Sequence, residues 1–348
     1  MRVDDGHHLT DALSPDASRR RRSLPILSIV VPVFNEEDVI PIFHARLAAA
    51  MAGLGVAWEA VYVDDGSQDG SLGVLEALRS RHPEIGVVSL SRNFGKEAAM
   101  TAGLDHARAS GAVVVIDVDL QDPPEVIPEL VAGWREGFDV VYAQRRSRAG
   151  ETWMKKATAS AFYRLMGRLG GPVRLPPDVG DFRLMSRRSI DALLQLRERH
   201  RFMKGLFAWV GFPSRAVLYD RAPRAAGTTK WNYGRLVNLS VEGITSFTTL
   251  PLRFATWLGV GTAIFALGFG GEVVLKAIIY GNPVPGYPSI MAVVLFLGGV
   301  QLMTLGVIGE YLGRVFNETK GRPLYIVGRH LTSNSTQDAE NPECRSGG

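Results

Sequence analysis

Two hydrophobic rhythms divide the chain. Up to about residue 142, short β-branched runs alternate with longer stretches of helical spacing. Ser28–Val33, Ala60–Val63, Gly86–Leu90, Val113–Val118 and Asp139–Tyr142 read as strands. Glu36–Met51, Ser71–Arg81, Lys96–Ala109 and Pro124–Glu136 read as helices. Strands alternating with helices build right-handed βαβ units and a mostly parallel sheet. Strands that are apolar at nearly every position fit a sheet covered on both faces. The expected fold class is α/β.

The second rhythm appears late. Phe254 to Tyr280 is apolar apart from Glu272 and Lys276, and Pro288 to Gly309 carries no charge. Each is close to the ~20 residues that a helix needs to cross a bilayer core. A pair of buried core helices is the alternative, and the uncharged connector Gly281–Tyr287 counts against it. Arg253 precedes the pair, while Arg314, Lys320, Arg322 and Arg329 follow it. The positive-inside rule then places both flanks, both termini and the α/β domain in the cytoplasm, anchored to the inner (plasma) membrane. The expected layout is an unstructured tail over 1–24, a catalytic α/β domain over 25–232 and an interfacial segment over 233–253. Two spans follow within 254–312 (254–280 and 288–309), then a cytoplasmic segment over 313–330 and a second tail over 331–348. Glu272 and Lys276, one helical turn apart, read as an ion pair at the membrane edge.

Composition narrows the functional classes. The 348 residues suffice for one catalytic domain with an appendage, and 46% hydrophobic content with a net charge of +4 excludes a wholly disordered chain. Residues 1–23 lack the apolar core of a signal peptide. Basic clusters occur at Arg19–Arg22 and at Arg197, Arg199, Arg201 and Lys204, with no nucleic-acid reading module beside them. Anionic lipid is therefore the expected partner of this charge, and nucleic acid is not. The single cysteine, Cys344, excludes a disulfide framework and a thiolate metal site. The seven histidines are scattered, with no metal-binding spacing.

Chemistry gathers where strands end, which is where open α/β sheets place ligands. Pro32 to Glu37 follows the first strand, Asp64 to Ser71 the second and Asp117 to Glu125 the fourth. Packed together without a cation, these carboxylates would repel and raise one another's pKa values. On an extended chain Asp117 and Asp119 point the same way. With Gln121 they offer hard oxygen donors suited to Mg²⁺ or Mn²⁺ rather than zinc. Asp122 and Glu125 read as helix caps around Pro123 and Pro124. Asp65 reads either as a turn residue beside Gly66 or as a nucleoside contact.

Pro32–Glu37, Asp64–Ser71, Leu90–Glu97 and Asp117–Glu125 together resemble glycosyltransferase family 2, and within it the branch that acts on polyprenyl phosphates. The likeness continues through Asp178–Leu184, Arg201–Leu206, Gly227–Trp231, the two apolar spans and Gly309–Arg314, covering about residues 25–327. It implies a GT-A type nucleotide-binding domain, a divalent cation (Mg²⁺ or Mn²⁺) and inverting sugar transfer from a nucleotide-sugar donor, with UDP-glucose the leading candidate, to a polyprenyl phosphate. It also implies a homo-oligomer, a tetramer being the expected form. By that likeness Pro32, Phe34, Glu36 and Asp65 line the nucleoside pocket, Asp117 contacts the donor, and Asp119 with Gln121 holds the metal. Arg145, Lys156 and Ser160 match the positions that grip the acceptor phosphate. Asp181 is expected either to orient the sugar and act as base, or to pair with Arg183. Arg201 and Lys204 are candidates for a lipid phosphate or a diphosphate, or are basic residues snorkelling at an interface. Lys230, with Arg224, lies on a glycine-containing loop able to close over a diphosphate. GDP-mannose or another UDP-sugar is an alternative donor, and a non-catalytic membrane scaffold or lipid carrier is an alternative role.

Overall fold

The β-branched runs become strands as their pattern predicts. In a computed structural model that describes residues 25–146, 179–199, 201–220, 250–280 and 286–333, the first half runs β1 (Leu27–Val33), α1 (Ile40–Ala52), β2 (Trp58–Asp64), α2 (Ser71–Arg81), β3 (Ile85–Leu90), α3 (Lys96–His106) and β4 (Ala112–Val115). A single 3₁₀ turn, Pro124–Val126, leads into α4 (Ile127–Arg135), and β5 (Val140–Arg145) follows. Then come β6 (Val179–Ser186), α5 (Arg187–Leu194), α6 (Met203–Trp209), β7 (Ser214–Tyr219), α7 (Leu250–Tyr280), α8 (Tyr287–Thr319) and β8 (Val327–Leu331).

Among the described residues these strands form one sheet in the order β7-β5-β6-β4-β1-β2-β3-β8. The pairings β1–β2, β1–β4, β2–β3 and β5–β7 are parallel. β6 runs antiparallel between β4 and β5, and β8 runs antiparallel along β3. The fold class is thus α/β with a mostly parallel sheet.

Alternation along the strands feeds two cores. Ile29, Val31 and Tyr62 face Phe43, Leu47, Ile127 and Leu130 on one side. Val30, Val61 and Val63 face Met100, Leu104, Ile190 and Phe207 on the other. Each such fully buried side chain contributes about 1.5–3 kcal/mol. Gly103 lets α3 press on β1, since a Cβ there would stand 2.3 Å from Val30 Cγ1.

Three expectations need correction. β4 stops at Val115 rather than Val118, because the chain turns at Asp117–Leu120 with Leu120 at φ +59°. Asp117 and Asp119 consequently do not lie on one extended strand. The second tail cannot start at residue 331: Leu331 closes β8, and Ser333 is buried beside Arg108 and Glu59. The last apolar helix also runs past Gly309 to Thr319.

α7 and α8 lie against one another as a hairpin. Their apolar windows, Leu252–Tyr280 with mean hydropathy 1.8 and Phe296–Thr319 with 1.2, are long and apolar enough to cross a membrane. They are hardly buried by protein: Trp257, Leu267, Ile278 and Leu302 are each more than two-thirds exposed.

Candidate active site

The strand register brings the acidic groups together. β4 pairs with β6 so that its last residue, Val115, faces Arg183, which leaves Asp117 two residues beyond one and Asp181 two residues before the other. Two carboxylates there would repel. Lys96, the first residue of α3 after Gly95 (φ 96°), places Nζ between them, 2.8 Å from Asp117 Oδ2 and 2.7 Å from Asp181 Oδ2. The Lys96 side chain remains 44% exposed, so a ligand can reach the group from solvent.

Burial would hold the Lys96 ammonium down, but the charges of Asp117 and Asp181 outweigh it and raise its pKa. Burial pushes the Asp181 carboxyl up, yet Lys96 and Lys204 overcome this and hold it at about 2. Asp117 is raised, by burial first and by the Asp181 charge, with Lys96 opposing both. The result is a fixed ammonium between two carboxylates at the mouth of the sheet. Asp181 Oδ1 is buried without a hydrogen-bond partner. Arg183 meets Asp181 through the backbone carbonyls of Gly180 and Asp181 rather than through the carboxylate, and its guanidinium stacks 3.9 Å over the Phe207 ring.

The neighbouring loops are zipped together by side chain–backbone bonds. The Asp65 carboxylate accepts the amides of Phe94 (2.7 Å) and Gly95 (2.9 Å), fixing the loop that delivers Lys96. Gly66 (φ +66°) makes the approach possible, since a Cβ there would lie 2.4 Å from the Arg92 carbonyl carbon. The Asn35 side chain accepts the Gln68 amide, Glu37 accepts the Gly70 amide, and the Glu36 amide donates to Ser71 Oγ. Pro32 is buried at the end of β1, while Phe34 is 38% exposed just beyond it. Asp119 Oδ1 accepts the Gln121 amide at 3.1 Å across the strained Leu120 turn. Asp119 and Gln121, two residues apart on this turn, carry the hard oxygen donors that Mg²⁺ or Mn²⁺ takes.

The helix-cap reading of Asp122 and Glu125 does not hold. Asp122 is buried and accepts the Tyr219 hydroxyl instead of capping a helix, and Glu125 forms a two-point ion pair with Arg46 at 2.8 Å. Arg145 ends β5 opposite Tyr219 and donates to its hydroxyl at 3.4 Å. Arg201 does not snorkel. It is 6% exposed, spends Nη1 on the Leu196 carbonyl, and leaves Nε and Nη2 without partners in a hollow of about 240 Å³ lined also by Gly95, Lys96, Glu97 and Leu324. Lys204 is close enough to Asp181 to depress its pKa. Lys96 and Glu97 close the Leu90–Glu97 run, and the sequence offers one signal of their role: a lysine directly after a glycine at a helix start. Lys156, Ser160, Arg224 and Lys230 lie outside the described residues.

Comparison with known proteins places this geometry. The family model described as glycosyl transferase family 2 matches residues 28–194, and a GtrB C-terminal hairpin model matches residues 250–315. An uncharacterized glycosyltransferase of Synechocystis sp. is 53% identical over 301 residues, 86% of this chain and 94% of that one. The chain belongs to glycosyl transferase family 2. This glycosyltransferase is also 46% identical over 301 residues to the bactoprenol glucosyl transferase of Shigella phage SfII, covering 86% of this chain and 97% of that one. Among solved structures it is similar to mannosyl-3-phosphoglycerate synthase from Rubrobacter xylanophilus, at 20% identity, 68% and 77% coverage and a TM-score of 0.45. The enzyme's sheet is of the GT-A type, with acidic groups at its strand ends.

Proposed function

We propose that this enzyme transfers a hexose, glucose from UDP-glucose first among the candidates, onto undecaprenyl or another polyprenyl phosphate. Transfer inverts the anomeric carbon and takes place on the cytoplasmic face of the plasma membrane, with the α7–α8 hairpin spanning the bilayer. The carrying observation is that the hollow beside Lys96 reaches the C-terminal end of that hairpin. Glu318 of α8 accepts the Arg199 amide at 2.7 Å, and Leu324 lines the hollow that holds Arg201. A transfer site beside a bilayer-length apolar surface suits an acceptor with a charged head and a long apolar tail. The relatives named bactoprenol glucosyl transferase support the same acceptor and sugar.

The acceptor is a phosphate, already an anion near neutral pH, so its oxygen needs alignment more than deprotonation. That oxygen attacks the anomeric carbon as the bond to the diphosphate breaks, and UDP leaves with both its phosphates. In this reading Lys96 fixes the two carboxylates. Asp117 orients the donor and Asp181 the sugar, the latter staying ionised throughout the neutral range. Arg201 through its unpaired Nε and Nη2, Lys204, and outside the described residues Lys156, Ser160 and Lys230, meet the phosphates together with Arg145. Pro32, Phe34, Glu36 and the loop tied by Asp65 form the nucleoside wall. A Mg²⁺ or Mn²⁺ ion held by Asp119 and Gln121 offsets charge on the leaving diphosphate when bound. Assembly as a tetramer belongs to the same proposal.

The test is a panel of labelled UDP- and GDP-sugars offered with undecaprenyl phosphate to purified enzyme in detergent, with Mg²⁺ or Mn²⁺, alongside Asp119→Ala. Metal-dependent labelled lipid from UDP-glucose, lost in the variant, is the expected result. Lipid labelled only from GDP-mannose overturns the donor. No labelled lipid from any donor, with folded enzyme, overturns the reaction.

A further inference from the structure

Two of the histidines that are scattered in sequence meet in the fold, away from the nucleotide loops. His44, on the inner face of α1, is 2% exposed and stands against His82 at the end of α2, the ring centroids 4.5 Å apart. Glu84, in the turn into β3, places Oε1 3.3 Å from His82 Nδ1 and 3.8 Å from His44 Nε2. These three donor atoms all lie within 4.8 Å of one another. They gather at the start of β3, whereas the loop that carries Lys96 leaves from its other end.

One atom of the group is unexplained by packing. His44 Nδ1 hydrogen-bonds the Tyr62 hydroxyl at 3.0 Å, but Nε2 is buried with no hydrogen-bond partner. A buried polar atom left unpaired destabilises the fold. Glu84 at 3.8 Å is too far to satisfy it. An ion seated between the three donors removes that cost.

We propose that His44 Nε2, His82 Nδ1 and Glu84 Oε1 bind a late first-row divalent cation of the Zn²⁺ type, at a site separate from the oxygen-rich nucleotide site. Two imidazoles and one carboxylate are a donor set for zinc rather than magnesium. With metal–ligand bonds of about 2.0–2.1 Å, neighbouring donors of a tetrahedral ion stand roughly 3.4 Å apart. The 3.3 Å pair already fits, and the 3.8 Å pair closes by a few tenths of an ångström. Tyr62 holds the far side of the His44 ring, the orienting contact that metal-bound imidazoles commonly have. His82 and Glu84 are 38% and 21% exposed, which gives the ion an entry path and leaves a fourth position for water. The bound ion clips α1 to the turn between α2 and β3, bracing the helix that follows the nucleoside loop.

The experiment uses untagged full-length enzyme in detergent, stripped with a chelator and dialysed against Zn²⁺ in excess Mg²⁺. Bound zinc is counted by mass spectrometry, and melting is followed with and without zinc. Wild type is expected to hold one Zn²⁺ per chain with an imidazole-containing shell by X-ray absorption, and to melt higher with zinc. His82→Ala and Glu84→Gln, both partly exposed, are each expected to weaken zinc binding at least about tenfold and to lose the zinc-dependent rise in melting temperature. If His82→Ala fails to fold without metal, Glu84→Gln decides alone. No bound zinc, or zinc that a folded variant keeps with unchanged affinity, overturns the proposal.

Discussion

Lys96 is the residue on which the site turns. Without its ammonium, Asp117 and Asp181 stand together with no cation between them, and one of them takes up a proton. Lys96→Met is expected to lower kcat by roughly 10²–10³-fold, the range seen on losing one preorganised charge in an active site. It should also introduce a new rise in the pH–rate profile on the acid side. Steady-state kinetics across pH checks both, and an unchanged profile would leave Lys96 a mere surface cation. Glu97 allows a second test at this scale. Burial first, and the Asp181 charge next, push its carboxyl up to about 8, and Oε2 is buried without a partner. The folded chain therefore keeps a proton that the unfolded chain loses above about pH 4.5. Stability is highest below that pH and falls as pH rises through 8, by at most a few kcal/mol. Glu97→Gln should flatten melting temperature against pH in this window, whereas a slope equal to wild type would show that another group titrates. The acidic strand ends were legible in the sequence because carboxylates after apolar runs have few structural uses. Lys96 was not, because its role exists only once β6 lies beside β4.

The same reason explains which elements the pattern revealed. Strands β1 to β3 are mostly apolar runs covered on both faces, and α2 begins and ends where its spacing predicts. β6 mixes Asp181 and Arg183 into its alternation, and β8 is five residues long, so neither stands out from a loop without its partner strand. Yet β8 is anchored in the interior. Glu59, 1% exposed in β2, is paired by Arg108 at 2.8 Å and also accepts from Ser28 and Ser333, while Arg108 reaches Ser333 as well. Removing one partner of a buried ion pair costs about 3–5 kcal/mol because the other charge is left behind. Arg108→Ala should destabilise the folded enzyme by about 3 kcal/mol, read from denaturant melts. A change below about 1 kcal/mol would mean that water replaces the guanidinium there.

At the scale of the whole molecule, the chain leaves the catalytic domain at α7 and returns to it after α8. Glu318 bonds the Arg199 amide, the Tyr325 hydroxyl bonds Asp105 at 2.7 Å, Arg197 grips the same carboxylate, and β8 closes the β3 edge. The C-terminal end of the hairpin and the segment after it are thus tied to the domain that carries the acidic strand ends. Truncation before Leu250 would leave every acidic strand end in place but uncover a β3 edge and drop these contacts. The truncated chain is expected to melt several degrees lower than full-length enzyme and to self-associate, measured by calorimetry and light scattering. Equal melting temperatures would show that the returning segment contributes nothing to the fold.

The central claim is that this site joins a sugar to a lipid phosphate with inversion. The most direct measurement is the structure of the product made from UDP-α-glucose and undecaprenyl phosphate by the purified full-length enzyme, by mass spectrometry and NMR of the anomeric proton. The predicted result is one glucosyl phosphate lipid of β configuration, formed with an equal amount of UDP. Release of free glucose with no lipid product, or an α-linked lipid, would contradict it.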